Sequence, residues 1–136
     1  MFKTLAHTAD IGLQIEARDL SSLFSEAGKA FTSLIVANQQ EIRGRVRRNF
    51  LVEGGELDYL LLDWLSELLY TFDTERLLFS EFEVSVEPNR LVVTAIGEPL
   101  DVARHRLDHE VKAITYHGLD VHRDGDLWSA TVLVDI

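Results

Sequence analysis

The segment Leu57 to Phe72 constrains the fold most, because it carries a leucine or an aromatic ring at Leu57, Tyr59, Leu60, Leu61, Leu62, Trp64, Leu65, Leu68, Leu69, Tyr70 and Phe72. No proline or glycine interrupts it. Wound at 3.6 residues per turn, these side chains cover almost the whole circumference of a helix, so the helix must be packed on more than one side. Its polar positions, Asp58, Asp63, Glu67 and Thr71, fall close to one narrow stripe. Asp63 and Glu67 stand one turn apart on it, a spacing that suits either a bound cation or simple solvation.

The rest of the chain supplies partners for that helix. Ile11, Leu13 and Ile15 alternate with Gly12, Gln14 and Glu16, the period of a half-buried strand. Asp19 has the character of an N-cap for a helix with Leu20, Leu23, Phe24, Ala27, Phe31 and Leu34 on one stripe, ending around Asn38. Residues 46 to 53 read as a strand closed by Gly54-Gly55. Phe82, Val84 and Val86 alternate in another, Pro88-Asn89-Arg90 makes a turn, and Leu91 to Ile96 return as its partner. From Gly97 to Ala113 the charges are dense and no apolar period holds, which predicts an irregular crossover with a short helix near Asp108 to Ala113. A closing hairpin joins Thr115–Arg123 to Leu127–Asp135 through Asp124-Gly125-Asp126, with Trp128, Ala130, Val132 and Val134 on one face. The expectation is a single α+β domain over residues 1–136, a mostly antiparallel sheet with its two main helices packed on one face.

Composition narrows the chemistry. The 136 residues include no cysteine, so disulfides, thiolate zinc sites and cysteine nucleophiles are excluded and any metal must sit on oxygen or imidazole. The start, Met1-Phe2-Lys3-Thr4, lacks the regions of a signal peptide, and no apolar run is long enough to cross a bilayer, which predicts a soluble, cytoplasmic protein. With 23 acidic against 13 basic residues, the formal charge of −10 opposes that of nucleic acid, so autonomous RNA or DNA binding is not expected. The basic run Arg43-Gly44-Arg45-Val46-Arg47-Arg48 reads either as a solvated face or as an anion patch. Glycine-rich phosphate loops, the nucleophile elbow and the paired-histidine metalloprotease helix are all missing.

One constellation stands out. Asp10, in His7-Thr8-Ala9-Asp10-Ile11-Gly12, and Asp135, in Val134-Asp135-Ile136, each lie at one end of a strand. If those strands neighbour each other, Asp10, Asp135 and the terminal carboxylate of Ile136 converge, and three hard oxygen groups need a divalent cation or shared protons. The histidines are the other candidates: His7 and His117 lie near the presumed strand ends, while His105 and His109 share a face only if their segment is helical. Two function classes remain open on the residues alone: a metal-dependent phosphoesterase with Lys112 or Arg104 as its cationic group, or a metal-stabilised structural or interaction domain.

Several segments, in order and across essentially the whole chain, resemble the archease family: His7 to Gly12, Leu62 to Tyr70, Phe79-Ser80-Glu81-Phe82, Gly97-Glu98, Arg104-His105, Glu110-Val111-Lys112-Ala113-Ile114-Thr115-Tyr116-His117 and Val134-Asp135-Ile136. The resemblance implies an accessory protein, not an enzyme, that transiently activates an RtcB-type RNA ligase in tRNA splicing and RNA repair. It implies promotion of ligase guanylylation by GTP, with GTP and RNA met only through the ligase. An alternative it carries is a chaperone-like modulator of a tRNA methyltransferase. It places a divalent cation, Ca2+ ahead of Mg2+ or Mn2+, on Asp10 and Asp135, with Ile136 as a third ligand by position. His7, Asp63, Arg104, His105, Lys112 and His117 are then candidates to face the partner or to support the site.

Overall fold

A computed structural model describes residues 1–6 and 9–136 of the chain, with the side chain of Ala6 left aside. In order, the elements are β1 (Phe2–Ala6), β2 (Asp10–Ala17), α1 (Leu20–Ile35), β3 (Val46–Glu53), α2 (Leu57–Glu75), β4 (Leu77–Glu87), β5 (Arg90–Pro99), β6 (Ala113–Asp124) and β7 (Leu127–Asp135). The α+β class and the antiparallel pairing are those expected. The strands do not form one sheet, however: they divide into a four-stranded sheet, β1-β2-β7-β6, and a three-stranded sheet, β3-β5-β4.

Both helices serve both sheets, which is why α2 needs apolar residues nearly all round. Its buried residues include Leu61, Trp64, Leu65 and Leu68. Trp64 stacks edge-on against Phe50 of β3 and Phe82 of β4, with centroids 5.4 and 5.6 Å away, and donates from Nε1 to the Phe24 carbonyl of α1 at 3.1 Å. Tyr59 and Tyr70 instead join Asp63 and Glu67 on the solvent stripe. Asp19 caps α1 as its sequence suggests, its Oδ1 accepting from the Ser22 amide at 2.7 Å.

Departures from the sequence expectation have local causes. β1 is a strand the alternation did not announce, being only five residues long. The expected helix at Asp108 to Ala113 does not form. The amides of Asp108 and His109 instead donate to the carbonyls of Ile35 and Leu34 at 2.7 and 2.8 Å, so the crossover is stitched to the end of α1. His105 and His109 therefore share no helical face. β4 starts at Leu77 and bulges between Phe79 and Glu81. Gly97 faces that bulge so closely that a Cβ there would lie 1.8 Å from the Leu78 carbonyl oxygen, so only glycine fits.

Candidate functional site

The four-stranded sheet sorts its residues by register. Ile11 pairs with Val134, Leu13 with Val132 and Ile15 with Ala130, and all six are buried against the helices. The intervening row, Asp10 with Asp135, Gly12 with Leu133 and Gln14 with Thr131, projects from the opposite face. Asp10 and Asp135 are thus direct partners, with side chains on one face and Cα atoms separated by the about 4.5–5.5 Å of an antiparallel pair. Both are half-buried. Like charges so placed repel.

Two backbone bonds hold the neighbourhood. The Ile136 amide donates to the Ala9 carbonyl at 3.2 Å, keeping the last residue alongside the approach to Asp10. On the other flank the Lys112 amide donates to the Asp135 carbonyl at 2.8 Å, just before Ala113 takes its place as the β6 partner of Asp135. Among the described residues, no group of three or more His, Asp or Glu side chains is arranged to hold a metal. The pair has the donor chemistry of a hard divalent cation: two carboxylates at one register position of adjacent strands, and oxygen is the donor that Ca2+, Mg2+ and Mn2+ prefer.

Lys112 also borders a cleft of about 530 Å3 whose walls include Ile35, Phe72, Arg76, His109 and Glu110. This cleft lies between the ends of both helices and the crossover. His117 is exposed with Tyr116 where β6 bulges away from β7 between Thr115 and Asp120. Asp63 is not near the aspartate pair; it borders a groove with Leu51, Glu67 and Tyr70 on the other sheet's side. His7 lies outside the described residues.

Arg104 and His105 converge on a residue to which sequence reasoning gave no role, Glu98 at the end of β5. Arg104 donates to Oε1 from Nη2 at 2.6 Å and to Oε2 from Nη1 at 2.9 Å, the His105 Nε2–H donates at 2.9 Å, and the Arg43 amide adds a bond at 2.7 Å. Because His105 Nδ1 accepts from the Asp101 amide at 2.9 Å, the neutral ring carries its proton on Nε2. His105 is 2% exposed, so it presents no surface to a partner. The fork from Arg104, followed by the Arg43 amide and His105, overcomes burial and holds the Glu98 carboxyl down at about 2. Asn38 adds a clamp, donating to the Arg104 carbonyl at 3.0 Å and accepting from the Arg106 amide at 2.8 Å. Together these bonds fix the crossover that delivers Lys112 to the flank of Asp135. The signal available in the sequence was a lone glutamate ending an apolar strand a few residues before an Arg-His pair.

Comparison with known proteins places the chain in a family. The model of the Archease protein family matches residues 2–136. The archease of Methanosarcina barkeri is 35% identical over 140 residues, covering 99% of this chain and 95% of that protein. That of Pyrococcus furiosus is 38% identical over 135 residues, covering 96% and 94%. Among solved structures, the solution structure of Methanobacterium thermoautotrophicum protein 1598 superposes with a TM-score of 0.87 at 32% identity, covering 99% of this chain and 98% of the other. The fold is also that of a Thermotoga maritima archease described as a possible chaperone, with a TM-score of 0.70 at 23% identity over 100% of this chain and 98% of the other. The chain belongs to the archease family.

Proposed function

We propose that this chain is a non-catalytic, cytoplasmic accessory protein, acting as one domain, that activates an RtcB-type RNA ligase in tRNA splicing and RNA repair. The observation that carries this reading is the opposed pair Asp10 and Asp135, a ready carboxylate seat on the outer face of a sheet. These two residues would hold a divalent cation, Ca2+ first, with the Ile136 carboxylate as a third donor. When bound, such an ion supplies positive charge that offsets the carboxylates and attracts phosphate oxygens.

The remaining residues have separable parts. With a net charge of −10, the protein is drawn toward a basic RNA-binding cleft while being repelled by free RNA. Lys112 and His117 flank the aspartate row and face the partner. Arg104, His105 and Glu98 act at a distance, by fixing the crossover that ends at Lys112. Association is transient, because an activator that stayed in the cleft would compete with RNA.

The test is ligase turnover with RNA substrate in excess, with and without this protein, together with guanylylation of the ligase at limiting GTP. Acceleration of both, lost in Asp10→Ala and Asp135→Ala and weakened by added salt, is the expected result. A ligase that runs equally fast without the protein removes the reading. Hydrolysis of phosphodiesters by the chain alone would replace it with a metal-dependent phosphoesterase. A specific effect on a tRNA methyltransferase alone would favour the chaperone-like alternative.

A further inference from the structure

Four strands form the edges of the two sheets, and their exposed backbone is treated unequally. Along β4, the carbonyls of Phe79 and Phe82 accept from Thr32 Oγ1 at 2.7 Å and Ser25 Oγ at 3.3 Å, so α1 covers that edge. On β6, the Val121 amide donates to Asp58 Oδ1 of α2 at 3.0 Å. β1 is only five residues long. β3 is eight residues long and is paired on one side only, with β5.

Which backbone groups of β3 are free follows from its register. The Gly54 amide donates to the Asn89 carbonyl at 3.0 Å, continuing the ladder in which Val52 faces Leu91 and Phe50 faces Val93. Even-numbered residues of β3 therefore bond to β5, and the amides and carbonyls of Arg47, Asn49, Leu51 and Glu53 aim outward. Among the described residues, these groups have no protein hydrogen-bond partner. Native sheets blunt an edge of this length by covering it, shortening it, bending it away or charging it; β3 has only the last of these, in Arg47 and in Arg48, and the Arg48 charge is taken up by Glu75 of α2 at 2.7 Å.

Beside this edge runs the solvent stripe of α2. Leu51 and Glu53 of β3, with Asp63, Glu67 and Tyr70 of α2, line a groove of about 340 Å3 that includes no lysine or arginine. Leu51 and Tyr70 are 55% and 66% exposed. A strand added to β3 would lay one row of side chains over Asp63 and Glu67, while Leu51 and Tyr70 offered apolar contact.

We infer that the β3 edge accepts an extended, basic segment of a partner protein as a fourth strand of the second sheet, with Lys or Arg at alternate positions meeting Asp63 and Glu67. Main-chain bonds to Arg47, Asn49 and Leu51 supply affinity, and the acidic stripe selects the side chains. A second copy of this chain is disfavoured, because it would set one Asp63–Glu67 stripe against another and bring together two molecules of charge −10. Nucleic acid is repelled by the same groove. This inference does not depend on the ligase reading, since it uses neither the aspartate pair nor the cleft beside Lys112.

The probe is a capped octapeptide of alternating valine and lysine, added to the full-length protein and followed by backbone amide NMR. Expected are shifts and slowed amide exchange confined to Arg47, Asn49 and Leu51, with shifts at Tyr70. Binding should fall by about tenfold in the double variant Asp63→Asn, Glu67→Gln, both exposed positions that leave the core intact. It should fall by about as much when alternate peptide nitrogens are methylated, which removes edge bonds without altering charge. The double variant Asp10→Asn, Asp135→Asn should bind as wild type does. Equal binding of a valine–glutamate peptide, insensitivity to N-methylation, shifts spread over the whole acidic surface, or self-association that occupies β3 without peptide would each overturn the proposal.

Discussion

Arg104 grips Glu98, six positions earlier in the chain, in a two-pronged ion pair with contacts of 2.6 and 2.9 Å. Both groups leave water to make it: the Glu98 side chain is 4% exposed and that of Arg104 21%. Removing one partner from such a pair leaves an uncompensated buried charge, so the pair's loss costs more than its presence gains. Arg104→Ala should therefore lower unfolding free energy, by less than loss of a fully buried pair would because Arg104 keeps some access to water. Urea denaturation at neutral pH measures this; a loss under about 1 kcal/mol would show the fork to be energetically idle.

Acid should unfold the protein partly through the same residue. Glu98 has a folded pKa of about 2, below its ordinary value near 4.5. Its stabilising contribution is complete above pH 4.5, declines as pH falls below that value, and is gone once pH passes the folded pKa. The shift corresponds to on the order of 3 kcal/mol. Glu98→Gln should flatten the stability-versus-pH curve between about 4.5 and 2. Parallel acid limbs for wild type and variant would mean that other carboxylates govern acid unfolding.

Gly97→Ala tests the packing next to this network. An added Cβ would lie 1.8 Å from the Leu78 carbonyl oxygen and 2.7 Å from the Phe79 Cα, both backbone atoms that cannot rotate away. The β4 bulge must shift, so destabilisation above about 3 kcal/mol is expected, large for a single methyl group. A thermal midpoint within a few degrees of wild type would show that the bulge adapts freely.

Most of this architecture was legible where a local rule decided it. The strand at 46–53 was announced with its Gly54-Gly55 close, the hairpin of 115–123 with 127–135 by Asp-Gly, and α1 by its cap at Asp19, although β6 starts two residues earlier, at Ala113. Partner choice was not legible, because alternation says that one face of a strand is buried without saying in which sheet. The helix expected near Asp108 was lost to tertiary bonds from Asp108 and His109 to the end of α1, which no local pattern encodes. The aspartate pair was foreseeable as two strand ends; that they are direct register partners needed the fold. Glu98, noted only within Gly97-Glu98, was given no role because its partners come from the least periodic part of the chain.

Asp10 and Asp135 give opposite expectations with and without metal. In chelator, Asp10→Asn or Asp135→Asn should raise stability by up to about 1 kcal/mol, because two like charges directly opposite on paired strands are relieved. In millimolar Ca2+ the order should reverse, since an ion that binds only the folded wild type stabilises it by mass action. Thermal melts in both buffers, with calorimetric titration of Ca2+, read the two effects. Wild-type affinity in both variants would sink the site.

The Ile136 carboxylate can be separated from the two aspartates by extending the chain. A flexible tag placed directly after Ile136 converts that carboxylate into an amide, while the Ile136 amide can still donate to Ala9. If Ile136 is a ligand, the extended protein should bind Ca2+ more weakly and activate the ligase less, even though Asp10 and Asp135 keep their register. A tag before Met1 should have a smaller effect, since it leaves all three oxygen groups unaltered. Unfolding midpoints in chelator should match for both tagged forms, separating loss of a ligand from loss of structure. Equal Ca2+ affinity and equal activation would confine the ion to Asp10 and Asp135 and remove Ile136 from the site.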